Sequence, residues 1–143
     1  MTIRPRAVRA LRDARTRLRD AAAASHAVAT AAREQSHLAL VREQHALEEY
    51  LDEASDILAA ANNVNDLLSV GDITGVHKLE IADASTRYDK ASAVADASAD
   101  VLRDKSRLLR RAEKLVERVT AERAASEAKV EQRMNDDMTT RKR

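Results

Sequence analysis

The sequence predicts an all-α protein folded as one long antiparallel two-helix coiled-coil hairpin, and three observations carry that prediction. Only two of the 143 residues are aromatic, Tyr50 and Tyr88, with no Phe or Trp, so a compact core has little bulky material to close around. Charged residues make up 34% of the chain, and the apolar set is mostly Ala and Leu with some Val, the composition of long helices. Gly occurs twice and Pro once, far too rarely for the repeated turns of a β-sandwich or an α/β enzyme. Cys is absent, which removes disulfides and thiolate metal sites and is compatible with a reducing compartment. No apolar run reaches the roughly 18 residues of a membrane span. The N-terminus is Arg-rich without the apolar segment of a secretory signal; it has a faint likeness to an organelle-targeting peptide, but the same arginines continue without a break into a heptad-like helix.

Pro5 suits a first helical turn, where its missing N–H is not needed. Gly71 and Gly75 lie within four residues of each other at mid-chain, and glycine readily ends a helix. The expected layout is therefore a single unit over 1–143, with a helix from about 5 to 68, a turn over 69–75 and a second helix from 76 to about 138 before a frayed tail. Asp72 or Thr74 would cap the second helix. Periodicity says which residues meet. In the second helix Ile81, Tyr88, Ala95, Leu102, Leu109 and Val116 recur every seven residues, each followed three residues later by Ala84, Ala91, Ser98, Lys105, Ala112 and Val119. That is a heptad seam with one charged intruder. In the first helix Leu40, Leu47, Ala54, Ala61 and Leu68 repeat every seven, with Leu51 and Leu58 at the alternate positions. Nearer the N-terminus the pattern thins to Leu11, Leu18 and alanines. At 1.5 Å per residue each arm would be on the order of 90–100 Å long.

Charge is segregated although the net value is +1. Residues 1–33 carry +6, residues 34–100 carry −10 and residues 101–143 carry +5. A hairpin would bring the two basic segments together at its open end and leave the turn half acidic, a polarity suited to steering two different partners.

No catalytic constellation is present. Gly71 and Gly75 lack the Gly-Lys-Ser/Thr ending of a phosphate loop. Glu34 and His37 have the Glu-x-x-His spacing of di-metal bundles, and His45 stands four residues before Glu49, but a di-metal site needs a second such motif and four helices. His26 and His77 add no further ligand pattern. The carboxylates of Glu48, Glu49, Asp52, Glu53, Asp136 and Asp137 have no pocket to shift their pKa. The expectation is a protein without enzymatic activity, cofactor or metal. Nucleic-acid binding is disfavoured by the missing stacking aromatics and by the acids interleaved among the C-terminal bases. A membrane-surface helix is disfavoured by the absence of inserting Trp or Phe. Between Val101 and Val119, Leu108 and Leu115 widen the apolar stripe to three positions per heptad, beside a basic cluster. Apolar area rimmed by charge marks a docking surface for another protein.

These same residues carry a family resemblance. The run Leu108-Leu109-Arg110-Arg111-Ala112-Glu113-Lys114-Leu115-Val116-Glu117-Arg118, followed by Glu131-Gln132-Arg133-Met134-Asn135-Asp136-Asp137, resembles the second helix of the FliJ/YscO-like central-stalk proteins of type III secretion and flagellar export. The resemblance implies a two-helix coiled coil in the pore of a hexameric secretion ATPase, reaching toward a membrane export gate and associated with export chaperones. It also implies a cytoplasmic position, peripheral to the membrane only through partners. On that reading Arg103, Arg107, Arg110, Arg111, Lys114 and Arg118, around Leu108 and Leu115, would contact the ATPase. The tip residues Gly71, Asp72 and Gly75 would face the export gate. The rival expectation is a generic coiled-coil scaffold or regulator that dimerises between chains.

Overall fold

The computed structural model describes residues 4–60 and 63–140, all of them helical except Arg4 and Asn63. Helix α1 spans Pro5–Ala60 and helix α2 spans Val64–Thr140. Pro5 opens α1 as its first residue, and the carbonyl of Arg4 accepts the amides of Ala7 and Val8. The helices form an antiparallel coiled-coil hairpin, since their partner residues run in opposite directions: His26 meets Ser98, His37 meets Tyr88 and Tyr50 meets His77.

The break between the helices falls between Ala60 and Val64, which corrects the turn expected over 69–75. Gly71, Asp72 and Gly75 lie inside α2, and neither glycine has a positive φ. Each glycine costs a helix only about 1 kcal/mol relative to Ala, and seam positions on both sides of them keep the helix going. The N-cap of α2 is Asn63, whose Oδ1 accepts the amide of Asp66 at 3.0 Å, rather than Asp72 or Thr74. The hydroxyl of Thr74 instead donates to the Val70 carbonyl within the helix. Leu68, expected to close the first helix, belongs to the second turn of α2. Ala61 of the expected seam and the tail beyond Thr140 lie outside the described residues.

Two compact units divide the chain: a terminal unit of Met1–Ala23 and Val101–Arg143, and a central unit of Ala24–Asp100. In the central unit the α1 seam steps through His26, Ala29, Arg33, Ser36, Leu40, Glu43, Leu47, Tyr50 and Ala54, alternating three and four residues. The facing seam on α2 includes Ile81, Ala84, Tyr88, Ala91, Ala95 and Ser98 at the same steps. Its buried members are four alanines, Ala29, Ala54, Ala84 and Ala95. Small side chains let two helices approach to about 8 Å, yet each buries little apolar area. Polar and ring contacts supplement them. Nδ1 of His26 and the Ser98 hydroxyl are 2.9 Å apart, Arg33 reaches Asp96 at 3.9 Å, and the rings of His37 with Tyr88 and of Tyr50 with His77 lie 5.5 and 5.4 Å apart.

Leu51 and Leu58 are off this seam, 45% and 38% exposed. After Leu47 the seam takes Tyr50 and then Ala54, a step of three followed by four, and Tyr50 rather than Leu51 meets α2. In the terminal unit the buried side chains are Val8 and Ala22 from α1 with Leu109, Ala112 and Val119 from α2. Half-buried Leu102 and Val116 complete the α2 stripe, while Leu11 and Leu18 of α1 are exposed.

Candidate partner-binding surfaces

The heptad of α2 fixes where the basic residues point. With Leu102, Leu109 and Val116 at one seam position and Lys105, Ala112 and Val119 at the other, the residues Arg103, Arg107, Arg110, Arg111, Lys114 and Arg118 all occupy steps directed away from α1. All six are exposed. Arg107 pairs with Asp104 one turn back at 3.8 Å, an exposed contact that leaves its guanidinium at the surface. Leu108 and Leu115 flank the seam and stay half-buried, and Val101 is exposed. The terminal unit therefore presents an apolar margin beside a continuous basic face. Counted over the sequence it holds twenty Lys and Arg against ten Asp and Glu, a net +10.

The central unit carries the opposite charge, with five Lys and Arg against fourteen Asp and Glu, a net −9. Around the helix break it exposes Ile57, Val64, Leu67, Leu68, Ile73, Val76 and Leu79, interleaved with Asp56, Asp66, Asp72 and Glu80. Gly71, Asp72 and Gly75 are exposed on α2 within this acidic and apolar surface, about two turns into the helix rather than at its start. An open depression lined by Ala32, Gln35, Ser36, Ala39, Ala84 and Arg87 lies along the same unit.

One surface escapes the sequence reading. Residues 121–140 of α2 are exposed throughout, including Val130, Met134 and Met138, which recur every four residues on one side. Its signal was available: beyond Val119 the two seam positions are taken by Arg123 and Ser126, so no two-helix seam continues.

The histidines serve packing and local pairing. His26 and His37 take part in cross-helix contacts, His45 stands 3.7 Å from Glu48 and 3.4 Å from Glu49, and His77 stands 3.7 Å from Glu80. The Glu34 and His37 pair acquires no second motif, and among the described residues no cluster of metal-ligating side chains forms. Asp136 and Asp137 are exposed near the end of α2. No described helix is long and apolar enough to cross a membrane.

Compared with models of known families, residues 6–142 match the family described as the flagellar FliJ protein. The chain belongs to the FliJ family. The match extends the resemblance from the last third of the sequence to nearly its whole length. No curated protein and no solved structure matches the chain. FliJ proteins are components of the flagellar export apparatus, structural stalk or chaperone-like proteins and not enzymes. A seam of heptad-spaced small residues with charged outer faces suits that structural role.

Proposed function

We propose that this FliJ protein is the central stalk of a flagellar export apparatus, joining the hexameric export ATPase to the membrane export gate. The observation that carries the reading is the segregation of charge between the two units, +10 against −9, in a chain matched by the family from residue 6 to 142. Opposite fields recruit different partners and suppress exchange between them. The terminal unit would engage the ATPase through the exposed bases Arg103, Arg107, Arg110, Arg111, Lys114 and Arg118, with Leu108 and Leu115 as the apolar margin. Acidic and apolar, the central unit around the helix break would meet the export gate, and export chaperones would use its exposed leucines and valines. Such a protein works at the cytoplasmic face of the membrane, held there by its partners.

The test is co-purification with the export ATPase. Reversing Arg110, Arg111 and Lys114 to Glu is expected to abolish capture of the ATPase while circular dichroism keeps its helical signal, because all three side chains are exposed and none holds the seam. Capture at the wild-type level would overturn the assignment of this face. Sedimentation equilibrium tests the rival reading of an interchain dimer: a single hairpin has the 15.8 kDa of one chain, and a dimer has twice that.

A further inference from the structure

The seam of the terminal unit contains charges that a two-helix coil does not need. On α1 it steps through Val8, Arg12, Arg15, Arg19 and Ala22, and on α2 Lys105 holds a seam position between Leu102 and Leu109. All four basic residues are half-buried. Arg12 and Arg19 each reach the carboxylate next to them in sequence, Asp13 at 2.8 Å and Asp20 at 3.0 Å, in exposed pairs. Neither pair bridges the helices. Among the described residues Arg15 and Lys105 have no hydrogen bond or ion pair, and Nε of Arg19 is buried without a hydrogen-bond partner. Residues three and four apart on a helix are neighbours, so Arg12, Arg15 and Arg19 form one row of like charge. Like charges at close range oppose association wherever water is partly excluded.

In the central unit the charged seam residues are Arg33 and Glu43, opposite in sign, and Arg33 has Asp96 nearby. A net seam charge is thus peculiar to the terminal unit. We propose that pairing of α1 residues 5–23 with α2 is gated by oxyanions: carboxylate, sulfate or phosphate groups settling on the Arg15, Arg19 and Lys105 cluster zip the two helices together. Without them this stretch of α1 separates and uncovers Leu102, Leu109 and Val116. The oxyanion is supplied either free in solution or as the acidic side chains of a partner segment. The gate rests on the seam alone and holds whether or not the stalk reading does.

Hydrogen exchange of the full chain, followed by mass spectrometry, tests it. Amide protection over residues 8–23 is measured in low-salt buffer, in sodium chloride, in sodium sulfate at matched ionic strength, and with a poly-glutamate peptide. Protection there should rise severalfold with sulfate, more than with chloride, while residues 84–98 change little. A rise with poly-glutamate but not with sulfate would assign the gate to an acidic partner segment. The variant Arg15→Leu with Arg19→Leu should be protected in every buffer and indifferent to the anion, with Arg15→Gln and Arg19→Gln as the substitute if the leucine pair aggregates. Protection that rises with neither sulfate nor poly-glutamate, or an equal sulfate response in wild type and variants, would overturn the proposal. The second result is the general strengthening of apolar burial by sulfate.

Discussion

The terminal and central units share one heptad periodicity and fill it with different chemistry. In the central unit the buried residues are alanines, and specificity comes from cross-helix pairs such as His26 with Ser98 and Tyr50 with His77. In the terminal unit the bulkier Val8, Leu109 and Val119 are buried alongside Ala22 and Ala112, but Arg12, Arg15, Arg19 and Lys105 interrupt them. Small residues allow close approach and polar pairs fix register, so the central unit is built to hold one arrangement. The terminal unit's aliphatic layers are separated by charges of one sign, of which Arg12 and Arg19 reach only the neighbouring Asp13 and Asp20, and this is the unit whose pairing is proposed to answer to oxyanions. The charged seam and the exposed basic face thus belong to the same unit.

The largest effect expected from disturbing this contrast is at Ala95, which is 1% exposed. Ala95→Glu puts a carboxylate into the tightest point of the central seam and should cost about 3 kcal/mol, seen as a lower midpoint of thermal unfolding. Hydrogen exchange over residues 102–119 should change far less, and an equal loss there would show that the two units unfold as one. Next in size, and opposite in sign, is the pair Gly71→Ala with Gly75→Ala. Beyond its chain neighbours and the adjacent backbone of its own helix, a Cβ at either site meets nothing within 4 Å, and both glycines are helical, so the double variant should gain about 1–2 kcal/mol in denaturant unfolding. A loss would restore the turn to these residues. Asn63→Ala removes the cap of α2 and should cost about 1 kcal/mol, with exchange accelerating first over 64–68. The smallest effect belongs to Arg87→Ala. Its partner Asp83 stands one turn away on the exposed surface, and an isolated pair of this kind contributes at most about 0.5 kcal/mol.

Legibility differed between the two helices. The seam of α2 could be read from its heptads because its members from Ile81 to Val119 are apolar or small at nearly every step, and the structure buries or half-buries each of them. The seam of α1 was legible only at Leu40, Leu47 and Ala54, because His26, Arg33, Ser36 and Glu43 occupy steps that look solvent-exposed in a sequence. Apolar Leu51, Leu58, Leu11 and Leu18 offered a false alternative and remain exposed. The helix break was misplaced for a related reason. Glycine has the stronger intrinsic tendency to end a helix, but Asn63, with Asp66 three residues later, supplies a side-chain acceptor for an orphan amide. The position midway between Tyr50 and His77 falls at Asn63 and Val64, which a seam that included Tyr50 would have revealed. The basic face on α2 followed from sequence because outward positions follow once a seam is known. The exposed stretch 121–140 depended on noticing where the seam stops.

Composition alone determined that this chain is helical, and heptad spacing with charge blocks determined a two-helix coil of opposite charges, because helix periodicity and net charge are local or additive properties. Which residues of α1 face the partner helix, where the chain reverses, and which charges lie along the seam were decided only by tertiary pairing. The reason is that a single glycine costs a helix only about 1 kcal/mol, whereas register is set collectively by all the layers of the seam at once.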